Sequence, residues 1–438
     1  MALGLLLYLD RGIGFRLDDW YMVANRSGWS ADNLLQPVNE HWFALTLVIF
    51  NSVLWLFGAH SAFPSLAALA LVHVAAGLAL YTLVARRSGW PLGILAMAAF
   101  LLIGQGSESL FWADQVSFAG STLAGLWAVV LLGNRGPRAR PVASLLLLAS
   151  LMFSGAGLLF LLVAAGQLLL ERARRGDLAV LLGPGLTYGL WFATYGRHPT
   201  RYGQGFVFDP RVLFPRVPLA ILIGPAHSLV SLLELPLAAA VPLLAGGLVV
   251  LLHRNLRDRV RVDEVLPPLL APVAFFVLVA IERPNLSIAV SRYVYVCAPF
   301  WLLALTSLAH SYDRPRLLPG LVIATVVLTV VNTVVLVEAS AAYRRETGDR
   351  LAVLATIERA RNCPGFDGSV EFSPDVVPAV TANRYLAAID RLGSPVPDRL
   401  RTVPARESPA SLAVLGRVFP GGAPRATAVG LSCAVAPR

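Results

Sequence analysis

The sequence predicts an all-α polytopic membrane protein of about eleven transmembrane helices. Juxtamembrane helices lie in its outer loops, and a small α+β domain closes the C-terminus. Three observations predict this class. Hydrophobic residues fill 56% of the 438 positions and charged residues 14%, against roughly 25% charged in a soluble domain, so a fold in water would leave apolar surface uncovered. The apolar residues come in runs approaching the ~20 helical residues that a bilayer core requires. The formal charge of +10 comes with no Lys at all, and the Arg gather in short gaps between the runs, which is the signature of topology rather than of nucleic-acid binding. Arg without Lys, beside abundant Ala, Gly and Pro, also suggests a GC-rich bacterial genome and hence a bacterial inner membrane.

The expected spans lie near 1–15, 66–85, 91–104, 117–132, 142–154, 156–170, 178–195, 236–252, 266–282, 291–309 and 319–338. The first is the weakest, because Asp10 and Arg11 follow "MALGLLLYL" at once and ionisable residues are costly at the bilayer centre. It lacks the basic n-region and A-x-A site of a cleaved signal peptide, and the reading leaves room for a start upstream. Threaded from the inside, Arg86/Arg87, Arg135/Arg138/Arg140, Arg172/Arg174/Arg175, Arg254/Arg257/Arg259/Arg261 and Arg314/Arg316 all fall on the cytoplasmic side, as short loops should. This agreement requires that "HWFALTLVIFNSVLWLFG" (41–58) does not cross but lies along the outer surface.

Residues 1–339 form the expected membrane domain and 340–438 an extracytoplasmic one. In the latter, "ETGDRLAVLATIERAR" and "DVVPAVTANRYLAAIDRL" read as amphipathic helices, and "GSVEF" and "ATAVGLSCAVA" as short strands. Of three cysteines, Cys297 sits in an apolar span and reads as packing. Cys363 and Cys433 lie in the outer domain, where oxidation is permitted, and are expected to pair, with two free thiols as the alternative.

The outer segments carry the candidate chemistry: 15–43, 104–115, 195–216 and 281–293. They hold Asp18, Asp19, Glu40, Glu108 and Asp114, with Arg197, Arg201, Tyr202, Arg283, Arg292 and Tyr293 as cationic and aromatic partners. Mixed charge and aromatics where lipid meets water suit a polar, anionic ligand. A plainer account exists for each group: the acid pair can cap a helix starting at Trp20, Glu40 and His41 can anchor an interfacial segment, and any outer Arg can snorkel. His73, inside an apolar span, reads as a satisfied core histidine.

Four stretches, "LDDWYMVANRSGW", "NEHWFALTLVIFNSVLWLFG", "GQGSESLFWADQVSFAG" and "SRYVYVCAPFWLLAL", occur in an order that resembles the GT-C glycosyltransferases, similar to bacterial protein mannosyltransferases and aminoarabinose transferases. The resemblance covers roughly residues 10 to 310. It implies an inverting transfer of a sugar from a polyprenyl-phosphate donor, in contact with membrane lipid, to an extracytoplasmic glycan, lipid or protein. Asp18 matches the first acid of the family signature and is expected to act as general base, with Asp19 positioning it or holding the acceptor. Glu40, His41, Glu108, Asp114, Arg197, Arg201, Tyr202, Arg283, Arg292 and Tyr293 are expected to bind substrate, Arg292 gripping the phosphate. No cofactor or metal is expected; a divalent cation on the acids is the alternative, and nucleotide-binding loops and zinc clusters are missing. Two rival classes remain at this stage: a transporter or flippase, which should carry mid-membrane charges and repeats, and a polymerase or ligase of lipid-linked glycans.

Overall fold

A computed structural model describes residues 1–134, 138–170, 175–197, 210–240, 242, 262–282, 287, 289–311, 314–402, 409–421, 426–427 and 430–431. The protein is mostly helical, as the composition requires. Among the described residues seven helices are long and apolar enough to cross a membrane: Phe63–Ser88, Ala113–Leu132, Asp177–Gly196, Phe214–Leu232, Val262–Ile281, Ser291–His310 and Leu317–Ala360. Six fall on expected spans. The seventh, Phe214–Leu232, is a correction: it begins inside the outer loop expected over 195–216 and coincides with none of the expected spans. Pro215, Pro218 and Pro225 interrupt that stretch in the sequence, yet all three lie inside one helix, Pro210–Leu232. A proline breaks a helix in water, but packed neighbours in a membrane tolerate it. Of the span expected at 236–252, the described part is a 3-10 turn, Leu237–Ala239, and its flank; the rest lies outside the described residues.

Three expected spans are short helices instead: Trp90–Leu101, Ala139–Phe153 and Gly157–Leu170. At 1.5 Å per residue they measure about 18 to 22 Å, less than the ~30 Å core. The first span shrinks further, to Ala2–Leu9, with Leu6 and Leu9 buried. The helix ends at Asp10, and the following turns are pinned to a distant helix: the Ser340 hydroxyl donates to the Leu9 carbonyl at 2.6 Å, and the Gly14 N–H donates to Thr347 at 2.9 Å.

The segment 41–58 holds one of the shorter apolar helices. Its helix, Ala44–Phe57, is tied along its length to one end of the bundle. Thr46 donates to the Phe153 carbonyl (3.0 Å), Asn51 donates to the carbonyls of Arg26 and Gly28 (3.0 and 3.1 Å), and the Ala59 N–H reaches the Leu392 carbonyl (2.7 Å). Phe153 ends helix Ala139–Phe153, Arg26 and Gly28 follow helix Leu17–Asn25, and Leu392 ends helix Ala382–Leu392, so this helix is anchored to the ends of other elements.

Near the expected domain boundary at 339 the chain does not break. One helix, Arg314–Ala360, runs 47 residues through it, about 70 Å at the standard rise. The amphipathic helix Ala382–Leu392 follows, capped by Thr381, whose hydroxyl accepts from the Arg384 N–H. The strand expected over "GSVEF" reduces to a single bridge between Glu371 and Thr381. In the second expected strand region, Ala426–Thr427 pairs with Gly430–Leu431.

Candidate functional site

The acids converge at the bundle end that the surface helix covers. Helix Leu17–Asn25 places Asp18 and Asp19 in its first turn, with Arg16 as N-cap; the cap is therefore not the acid pair, and the helix begins three residues earlier than expected. Asp19 closes a capping box. Its carboxylate accepts the Arg16 N–H (2.8 Å) and, from across the site, the Asp114 N–H (2.9 Å). It is 1% exposed, and burial pushes its carboxyl up to about 7 against the pull of those two N–H donors and of Arg16. Helix-start chemistry thus occupies Asp19. Asp18, one residue earlier, is half-buried and accepts from the Asn39 amide at 2.8 Å.

Asn39 arrives there on a tight turn. Val38 and His41 exchange both backbone hydrogen bonds (3.1 and 3.0 Å), with Asn39 and Glu40 between them at φ +47° and +68°, the left-handed pair of a type I′ turn. Leu17, beside Asp18, is also left-handed at φ +30°. Left-handed backbone at non-glycine residues costs about 1 to 3 kcal/mol each and gathers at functional sites. The segment leading into the turn is held by Arg26, 4% exposed. Its guanidinium donates to the Asn33 side chain (2.7 Å), to the Asn33 carbonyl, and to the carbonyls of Gln36 (2.9 Å) and Pro37 (3.1 Å).

On the opposite wall, Glu108 leaves the 3-10 turn Gly104–Ser109 and Arg292 begins helix Ser291–Ser311. They form an ion pair at 2.7 Å, both side chains about five-sixths buried. Ser291 ties the two elements, donating to the Gln105 carbonyl (2.7 Å) and accepting from the Glu108 N–H (3.3 Å). Asp114 is buried and accepts from Gln115 at 2.8 Å. Between the walls stands Trp112, which the reading did not assign. The Arg16 guanidinium lies 5.1 Å and that of Arg292 5.8 Å from its ring, and Arg16 also covers Tyr343 at 4.1 Å and pairs with Glu346 at 3.5 Å. Cations over aromatic faces gain about 0.5 to 2 kcal/mol. The only sequence signal was the tryptophan two residues before Asp114.

His41, Arg292 and Tyr293 meet in one small cleft of ≈ 40 Å³, walled by Phe118, Phe275 and Val279. His41 stacks on Phe43 at 5.8 Å and lies against Gly155, where an added Cβ would come within 2.9 Å of its Nδ1. Tyr293 is 3% exposed, and its hydroxyl has no hydrogen-bond partner among the described residues.

The remaining expectations divide. Arg197 follows the π-helical turn Phe192–Gly196 and is exposed; among the described residues no contact joins it to the acids. Arg201, Tyr202, Arg283 and Cys433 lie outside the described residues, while Cys363 is disulfide-bonded and Cys297 is free and buried. His73 is satisfied on both ring nitrogens, by the Tyr295 hydroxyl (3.0 Å) and the Leu101 carbonyl (3.2 Å). Among the described residues no three His, Cys, Asp or Glu side chains are placed to hold a metal ion.

No family model, no curated protein and no solved structure matches this chain.

Proposed function

We propose that this protein is an inverting membrane glycosyltransferase that moves a sugar from a polyprenyl-phosphate donor to an acceptor hydroxyl on the outer face of a bacterial inner membrane. The observation that carries the reading is the cleft. Its walls are apolar, and its polar end holds a guanidinium, an imidazole and an unpartnered buried hydroxyl, a donor set matched to a phosphate on an isoprenoid chain.

In this reading Asp18 takes the proton of the acceptor hydroxyl as the acceptor oxygen bonds to the anomeric carbon from the face opposite the phosphate. The bond from that carbon to the phosphate oxygen breaks, and its electron pair leaves on the polyprenyl phosphate. Arg292, oriented by Glu108, meets the added charge. Asp19 and Arg26 keep Asp18 and the Asn39–His41 turn in place, and Asp114 completes the acid wall.

The finer architecture belongs to the same proposal. The short helices tilt or sit behind neighbours to complete about eleven spans, the acid-bearing end faces outward, and residues 340–438 form an α+β module there. What supports this is the contact of that module with the acid-bearing helix: Trp20 packs edge-on to Tyr385 at 5.2 Å, and Arg384 donates to Asn25 at 2.9 Å. The test is transfer by purified protein from a panel of polyprenyl-phosphate sugars, wild type beside Asp18→Asn. Undiminished transfer by the variant removes Asp18 as base, and no transfer from any donor removes the reading.

A further inference from the structure

A second, larger and more open cavity of ≈ 690 Å³ lies where the C-terminal part meets the bundle end. Three separate segments build it. His60 follows the surface helix, Glu358 and Arg361 stand at the end of the 47-residue helix, and Asp390, Ser394 and Asp398 come from helix Ala382–Leu392 and the loop after it. These groups are held before any ligand arrives. Arg361 grips Asp390 through both nitrogens (2.8 and 2.9 Å), and the hydroxyls of Tyr385 (2.9 Å) and Ser394 (2.5 Å) donate to one oxygen of Glu358. The bond from Ala59 to Leu392 fixes the third side, and Gly393, at φ +88°, lies so close to the His60 ring that a side chain there would displace it.

The lining selects a ligand by its chemistry. Ile389, Val396 and two prolines supply the apolar surface, and among the described residues no Phe, Tyr or Trp lines the groove, so a lipid chain or a flat aromatic ligand gains little there. Three carboxylates repel an anionic polymer. Pro395 and Pro397 have no N–H, so the backbone there offers carbonyls alone. What remains is an acceptor-rich surface with one guanidinium and one imidazole. Neighbouring sugar hydroxyls suit it, since each donates to one group and accepts from another. The groove also adjoins the acid pair through one aromatic wall: Trp20, next to Asp19, packs on Tyr385, whose hydroxyl is bound to Glu358.

We infer that this groove binds the body of a neutral polyhydroxylated acceptor, a glycan chain, whose end reaches Asp18. The inference rests on the transferase reading and goes beyond it by naming the acceptor class and the residues that hold it.

The test reads binding without any donor. Full-length protein in lipid nanodiscs is titrated with a linear neutral hexose tetrasaccharide by calorimetry and saturation-transfer NMR, as wild type and as the single variants His60→Gln and Asp398→Asn. Both side chains are exposed at the groove and neither belongs to the proposed catalytic set. The expected result is saturable binding by wild type, weakened about tenfold in each variant, the loss of one hydrogen bond to a charged group, with an unchanged melting temperature. Absence of binding by wild type, or variants that bind as wild type does, overturns the groove assignment. Transfer to small acceptors can survive either of those outcomes, so the failure of the groove and the failure of the transferase reading are separable.

Discussion

At the scale of single residues, the acids divide by burial. Asp19 is spent on the capping box and the link to Asp114, while Asp18 keeps a half-buried position and accepts from the Asn39 amide. Asp18→Asn should therefore lower transfer by about 10² to 10⁴ with little change in melting temperature, the usual contribution of a general base; a variant that loses activity only by unfolding contradicts the role. Asp19 makes a different prediction. Burial pushes its carboxyl up to about 7 in the folded state, above the usual aspartate range, so its contribution to stability is complete below about pH 4 and is lost as pH rises through about 7. Asp19→Asn, which mimics the neutral acid, should melt increasingly close to or above wild type across that window, and a pH-independent gap between the two would show that the two N–H donors hold Asp19 ionised. The sequence made the acid pair visible. It could not say which acid is the more deeply buried, because that depends on an N–H ninety-five positions away.

At the scale of elements, hydrophobic periodicity located the helices and failed at their ends. Phe214–Leu232 was hidden by three prolines, a local rule overridden by packing inside an apolar bundle. The Ala44–Phe57 helix is expected along the outer surface only because the Arg-rich loops would otherwise change sides, and its 14 residues make it one of the shorter apolar helices. The turn carrying Glu40 and His41 was not legible, since no Asn-Gly or Asp-Gly pair announces it; Arg26 supplies from the side what sequence preference does not. The closeness of Gly155 to His41 gives a test at this scale. Gly155→Ala should displace the imidazole from Phe43, weakening donor binding, seen as a raised KM for lipid-linked donor, while leaving the fold intact. An unchanged KM would remove His41 from the donor site.

At the scale of the whole molecule, composition and Arg placement gave the class, and the order of four short stretches brought Asp18, Asp19, Glu108, Asp114 and Arg292 to one end of the bundle. The groove at His60 was beyond reach, because its walls come from segments some three hundred residues apart and none carries a motif. The arrangement of sides is itself testable. Reporter fusions after residues 88, 136 and 345 should read cytoplasmic, cytoplasmic and external; a cytoplasmic signal at 345 would put the acid-bearing end on the wrong side for a donor presented outside.

The uninterrupted helix Arg314–Ala360 joins membrane and groove without a hinge. In its qualifying apolar 18-residue stretch 11% of the residues are buried inside the protein, while its upper end carries Glu358. A rod of this kind works as a pointer. If a thinner or thicker bilayer tilts its lower half by a few degrees, as hydrophobic mismatch does, the upper end, about 30 Å beyond residue 339 at the standard rise, sweeps sideways by roughly 2 Å. Bilayer thickness then becomes a setting that the acceptor groove feels directly.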